Sequence, residues 1–248
     1  MPAKIQSFRF ESWSEFKTSF QLRLPGRGSG MSLLGRYVFR GQEDKDWELV
    51  TSFDRQFEKR SLRTRNKEFK KWMRRFHEEI SREYRHDYTD SDVRLIALAQ
   101  HYGLPTRFLD WTRSPYVAAY FALFHKIINR NAQNEVDAVV WVLNLEMLQR
   151  SVRKTELEIV SVTDVENRRM KNQDGVFTLQ KTDDYSLDSF LIKKGGQAAN
   201  SIAKLIIPGR EAKIAIQDLF LMGISHKTAF PGHDGIADYI VMRSRYEE

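Results

Sequence analysis

Gln100-His101-Tyr102-Gly103-Leu104-Pro105-Thr106-Arg107-Phe108-Leu109-Asp110-Trp111-Thr112-Arg113-Ser114-Pro115 is the stretch on which the reading of this chain turns. Gly103 and Pro105 stop a preceding helix, one by offering left-handed backbone and the other by lacking an amide proton. Phe108 to Trp111 has the composition of a strand. Ser114-Pro115 then opens a new helix, with serine as cap and proline in the first turn, where a missing N–H costs nothing. Upstream, Asp90-Ser91-Asp92 is an N-cap cluster for a helix running through Leu95 to His101. Downstream, Tyr116 to Ile128 is apolar enough to predict a buried helix, and Asp137 to Leu143 a buried strand.

The same punctuation extends to the rest of the chain. Tyr37 to Arg40 reads as a strand closed by Gly41, and Trp47 to Ser52 as a second extended piece. Residues 54–85 carry an apolar stripe at helical spacing and predict one long helix or a broken pair. Further strands are expected at Glu158–Val162, Gly175–Leu179 and Ala203–Ile207. A helix is expected at Glu211–Met222, stopped by Gly223, and a last one begins near His233. Residues 1–30 read as an N-terminal extension with a short helix starting at Trp13 and a flexible, turn-rich end at Pro25 to Gly30. Strands and helices alternate without a βαβ period, which predicts an α+β fold, a mixed, largely antiparallel sheet with flanking helices. There is no internal repeat and no clear linker, so residues 1–248 are expected to form one domain.

With 248 residues, 41% hydrophobic and 29% charged, the chain is long enough for a sizeable core and too apolar for general disorder. The absence of cysteine excludes disulfides, thiolate catalysis and cysteine-bound metals, and points to a reducing compartment. Met1 to Phe8 contains no signal-like apolar core, and the longest apolar run, Ala118 to Phe124, is far short of a spanning helix. A cytoplasmic protein without a membrane partner is the expectation.

Charge is uneven. Arg55 to Arg85 holds twelve basic and five acidic residues, a local excess equal to the net charge of the whole chain, +7. Arg60, Arg63, Lys67, Lys70, Lys71 and Arg74 are the candidate contacts to RNA or DNA. The competing reading is a solvated helix face laced with pairs such as Arg75–Glu79, and an acidic inhibitor protein is a further partner such a helix would accept.

Common catalytic signatures are missing. Gly26-Arg27-Gly28-Ser29-Gly30 has no Lys-Ser/Thr after it and no buried strand before it, so it is not a phosphate-binding loop. The six histidines are scattered and none pair at metal spacing, so no metal is expected. No serine nucleophile elbow is visible. What remains is Phe39-Arg40-Gly41-Gln42 at a strand end and the loop and strand from Gln100 to Thr112, dense in His, Tyr, Arg and Asp. A purely structural account would pair Arg107 with Asp110 and leave His101 in the core.

Four blocks together resemble the FRG-domain family of bacterial and phage proteins: Tyr37 to Gln42, Ala99 to Ala122, Asn167 to Leu179, and Phe230-Pro231-Gly232-His233-Asp234-Gly235. They fall in order across residues 36–241. The last block departs from the family pattern, with Gly232-His233 ahead of Asp234. FRG domains are in turn distantly similar to ADP-ribosyltransferases, enzymes that split NAD and transfer ADP-ribose. Those enzymes share a strand-borne Arg followed by Gly, a Ser-Thr-Ser strand leading into a helix, and a later Glu. Arg40-Gly41 matches the first element, and Asp110-Trp111-Thr112 before Val117 to Phe121 matches the second in position but not in letters. For the third, Glu156-Leu157-Glu158 has the letters, and Gln173 ahead of Gly175 and Phe177 has the place.

The resemblance implies an ADP-ribosyltransferase-like toxin or defence effector, with NAD as substrate and a macromolecular acceptor, RNA or DNA among the candidates. An antitoxin or inhibitor protein would be its partner. Catalysis would fall to Arg40, Thr112 and Gln173. NAD would be held by Arg40, Gly41, Gln42, His101, Tyr102, Arg107, Asp110, Trp111 and Phe121. Arg40 would grip a phosphate or ribose with its fork. Gly41 would free backbone groups for the carboxamide. Thr112 would bond the ribose or brace Arg40, and His101, Tyr102 and Asp110 would surround the cleaved bond, where positioning and electrostatics matter more than a strong base. The alternative is a catalytically silent module that keeps the fold and binds nucleotide or nucleic acid.

Overall fold

The computed structural model describes residues 4–26, 35–58, 60–83, 85, 87–89, 92–128, 136–161, 175–225 and 228. Among them, seven strands form one sheet: β1 (Gln6–Arg9), β2 (Tyr37–Gln42), β3 (Phe108–Thr112), β4 (Ala138–Asn144), β5 (Leu157–Ser161), β6 (Gly175–Gln180) and β7 (Ile202–Ile207). Their spatial order is β1-β7-β4-β2-β3-β6-β5. Every neighbouring pair is antiparallel except β1 with β7. The α+β expectation holds.

All seven residues of β4 are buried, which explains why Ala138-Val139-Val140-Trp141-Val142-Leu143 shows no polar alternation: helices cover both sides of it. Ala138, Val140 and Val142 meet one apolar cluster; Val139, Trp141 and Leu143 meet another. The first is built with α1 (Trp13–Ser19), α5 (Pro115–Ile128) and α9 (Ala212–Leu221), and the second with α6 (Leu145–Ser151), α7 (Leu187–Lys194) and α8 (Gly196–Ala199). A third cluster joins α3 (Leu62–Glu83) and α4 (Val93–His101) to Phe108, Val160 and Phe177.

Strand parity places these layers. Phe39 pairs with Thr112, so both face one side of the sheet. Phe108, Asp110 and Thr112 share that side, while Leu109 and Trp111 pack into the opposite cluster. The α1/α5/α9 layer therefore covers Phe39, and the α3/α4 layer covers Phe108. Asp110 lies between the two layers and is exposed.

Several expectations need correction. Trp47 to Ser52 is not a strand: Thr51 caps α2 (Ser52–Arg55) by accepting from the Asp54 amide, and the Leu49 amide donates to Asp188 Oδ1 at 2.8 Å. Residues 54–85, by contrast, follow one of their two expected alternatives, the broken pair, here α2 and α3. Residues 4–24, read as an extension, supply β1 and bury Phe10, Trp13, Phe16, Phe20 and Leu24 in the core. Trp13 also donates its indole N–H to Asp218 Oδ2 at 2.7 Å. Helix α6 was not anticipated, because β4 runs into it with no spacer: Asn144 ends the strand and caps the helix by accepting from the Met147 amide. The helix expected near His233 lies outside the described residues.

Candidate active site

Strands β2 and β3 are paired at Phe39–Thr112, whereas β2 pairs with β4 along its whole length. Beyond that single pair a cleft of about 290 Å³ lies between the strands, floored by Phe39, Arg40 and Gly41 and walled by Asp110 to Thr112. Helix α5 roofs it with Phe121 and His125, four residues apart and so on one side of the helix.

Gly41 is what lets α5 come so close. A Cβ there would sit 1.9 Å from the Ala118 carbonyl oxygen and 2.8 Å from the Ala122 amide nitrogen. The glycine therefore has a packing reason, helix backbone against strand backbone, in addition to the ligand access expected of it.

Arg40 reaches across the gap. Its Nη1 donates to the Asp110 carbonyl at 2.9 Å, a bond from a side chain where a ladder bond would run, and stands 3.8 Å from Asp110 Oδ2. Its Nε is buried without a hydrogen-bond partner. Burial pushes the guanidinium below its ordinary range; Asp110 opposes the shift and Arg55, at the end of α2, adds to it. The group stays charged, as arginine does in proteins.

Burial in the recess pushes the Asp110 carboxyl up, against Arg40 and a hydrogen bond donated by Gln100 Nε2 to Oδ1. The Gln100 amide is itself oriented by Thr106, whose hydroxyl donates to Gln100 Oε1. With 55% of its side chain exposed, Asp110 keeps water on one side and remains open to a ligand.

The cleft thus gathers Arg40, Gly41, Asp110, Trp111, Thr112 and Phe121. Trp111 contributes wall rather than ring, since its indole points into the opposite core and donates to Thr178 Oγ1 at 3.0 Å. Thr112 Oγ1 accepts from the Ser114 amide at 3.2 Å, at the entrance to α5.

Other expected residues lie elsewhere. Gln42 is buried, accepting from Trp141 Nε1 at 2.6 Å and donating to the Glu48 carbonyl at 3.2 Å. Arg107 is buried against Asp54 at 3.2 Å and Asn66, so the supposed Arg107–Asp110 pair is replaced by Arg107–Asp54 and Arg40–Asp110. His101 and Tyr102 are at the end of α4 in edge-to-face contact, Tyr102 exposed, and neither lines the cleft. Gln173 lies outside the described residues, as do His233 and Asp234. Glu156 is held at about 2 by Lys194 and Arg153, and Glu158 pairs with Lys181 at 2.7 Å. Both sit at β5, separated from β3 by β6. Arg60, Arg63, Lys67, Lys70, Lys71 and Arg74 are all exposed at or along α3.

His125 and Arg55 were not expected at the cleft, and Gln100, although inside the stretch singled out, was given no role. His125 had a legible signal, four residues after Phe121. The bond from Gln100 to Asp110 had none, because ten residues and a turn separate them.

The architecture is thus an open, largely antiparallel α+β sheet with an arginine–aspartate cleft where two central strands part. Residues 35–131 match the family model of the FRG domain, and the chain carries that domain there. The match runs from the start of β2 to just past α5 and holds every residue that lines the cleft. The blocks at Asn167–Leu179 and Phe230–Gly235 lie beyond it. Comparison with curated proteins and with solved structures gives no match.

Proposed function

We propose that the β2–β3 cleft binds the nicotinamide-riboside end of NAD, and that the protein is an ADP-ribosyltransferase-like effector acting on a macromolecule. The observation that carries this reading is a half-exposed carboxylate, Asp110, facing a desolvated arginine in a recess where the sheet ladder is interrupted. Phe121 and His125 line the cleft with aromatic rings, on which a planar base would stack. Arg40, already oriented by the Asp110 carbonyl, would use its remaining donors on ribose or phosphate, with Arg55 a second cation nearby.

In the reaction, the bond between ribose C1′ and the nicotinamide nitrogen breaks and its electron pair neutralises the pyridinium. The Asp110 carboxylate stabilises the oxocarbenium-like centre left behind. An acceptor hydroxyl or amine then bonds to C1′, and its proton passes to Asp110, whose desolvation makes it more basic than an ordinary aspartate. NAD and acceptor become nicotinamide, ADP-ribosyl acceptor and a proton.

The cleft volume of about 290 Å³ suits one nucleoside rather than an enclosed dinucleotide. This observation favours the second reading, a module that binds nucleotide and leaves it intact. Incubation with adenine-labelled NAD and separate pools of RNA, DNA and protein distinguishes them. Transfer requires label in one pool with an equal amount of nicotinamide, both abolished by Arg40→Ala. NAD bound but unbroken assigns the silent module, and turnover unchanged in Arg40→Ala removes the cleft from the chemistry. Arg40→Lys keeps the charge but not the fork and is expected to weaken NAD binding by about tenfold or more.

A further inference from the structure

Helix α3 carries its charges in an arrangement that works against its own stability. Arg63, Lys67, Lys70 and Arg74 are exposed and recur at four, three and four residues, one row along about 16 Å of helix. Arg60, Lys71 and Arg75 flank the row, and Ser61 is the only other exposed residue from 60 to 75. The N-terminus of a helix is its positive pole, and the first turn of α3 holds no acidic residue. Glu78, Glu79 and Glu83 are instead exposed towards the other end, where negative charge is unfavourable. Arg63/Lys67, Lys67/Lys71, Lys70/Arg74 and Lys71/Arg75 are like-charge neighbours one turn apart, which destabilise a helix. Lys71 meets Glu68 at 3.9 Å, the outer limit of an ion pair.

Packing does not require these cations. The basic side chain that α3 buries is Arg65, which faces Asp54. The apolar side of α3 is also occupied: Trp72 packs edge-on against Phe53 at 5.1 Å and Met73 is buried. It is therefore not available for insertion into a lipid surface. The large hydrophobic side chains exposed among the described residues all lie off α3, so the face lacks the apolar centre on which a protein interface is built. An uninterrupted row of cations suits a regular row of phosphates. Its near end, Arg60, follows by five residues Arg55, whose charge is felt by Arg40 in the cleft.

We infer that the N-terminal half of α3 is a docking surface for the phosphodiester backbone of nucleic acid, gripped by Arg63, Lys67, Lys70 and Arg74 without regard to base sequence. This goes beyond the chemistry of the cleft and does not depend on it, so the test omits NAD. Fluorescence anisotropy of the full chain is measured with a labelled RNA single strand and a labelled DNA duplex between about 50 and 200 mM salt. Four phosphate contacts give a log–log salt slope of about −4 on the duplex or about −3 on the single strand. Replacing the four residues together by Gln should remove most of that slope and at least about 100-fold of affinity at the lowest salt. Arg82→Gln, a cation at the acidic end of the same helix, should bind within about twofold of wild type. The four-residue variant should keep the wild-type circular dichroism spectrum and remain folded at the assay temperature, because the side chains it changes are exposed.

Binding within about threefold of wild type, or an unchanged slope, would overturn the assignment. So would a variant that loses binding only by melting early. Displacement of both nucleic acids by polyglutamate of equal charge concentration would overturn it as well, and give the face to an acidic protein.

Discussion

Asp54 and Asp110 both face arginines, and their surroundings differ in almost every respect. Asp54 has a side chain only 5% exposed. Arg65 Nη1 donates to its Oδ1 at 2.8 Å; Arg107 Nε and the Thr51 hydroxyl donate to its Oδ2 at 3.2 and 2.7 Å. Those bonds tie α2, α3 and the approach to β3 into one unit, and Arg65 adds a bond to the Asp183 carbonyl at 3.0 Å. Asp110 accepts from Gln100, stands 3.8 Å from Arg40, and leaves half of its side chain to solvent. An orphaned guanidinium nitrogen does not separate the two sites, since the Nε of Arg65 and of Arg40 are both buried without a partner. Saturation of the carboxylate does. A closed set of bonds holds elements together, and an open one is available to a ligand.

The contrast is sharpest in substitutions of the same kind. Asp54→Asn would leave two buried arginines without a counter-charge, and should cost about 3–5 kcal/mol in denaturant unfolding. Loss of less than about 1 kcal/mol would show that the buried set is not what joins α2 to α3.

Gly41→Ala is expected next, at about 3 kcal/mol, because the added methyl meets the backbone of α5 rather than a side chain that can turn away. A variant of full stability would mean that α5 can lift, and the cleft should then widen enough to change its ligand affinity.

Asp110→Asn should have the smallest effect, with the opposite sign. Burial raises this carboxyl above its ordinary 3.8. The folded chain therefore keeps the proton over a pH range in which the unfolded chain has lost it. Stability from this group falls as pH rises from 3.8 through the folded value. Removing the charge should stabilise the protein at neutral pH by less than about 1 kcal/mol, the exposed half being screened by water. The gain should vanish in acid below 3.8. A loss of stability at neutral pH would make Asp110 a structural anchor of Arg40, as Asp54 is of Arg65 and Arg107.

Legibility in the sequence followed the range of the interactions. Helix α4 and its stop at Gly103, the proline-opened α5, and strands β2, β3 and β4 all rest on neighbours a few residues apart. In the first segment the short helix expected from Trp13 is present as α1. That Phe10, Trp13, Phe16 and Phe20 join the core was not legible, because they sit among polar residues and are buried by elements distant in sequence. The error at Arg107 was also avoidable: residues 107 and 110 are three apart on extended chain and so point to opposite sides.

Periodicity, caps and the Arg40-Gly41 and Asp110 to Phe121 blocks were enough to establish an α+β chain with an FRG domain and to bring six of the cleft residues into view. They could do so because propensity and capping act locally. Which arginine meets which aspartate, that Gly41 serves the packing of α5, and that Gln100 and His125 reach the cleft were decided only by tertiary structure. Each depends on strands and helices distant in sequence coming within a few ångströms, and on burial, which turns the same Arg and Asp into a closed anchor at one site and an open pair at the other.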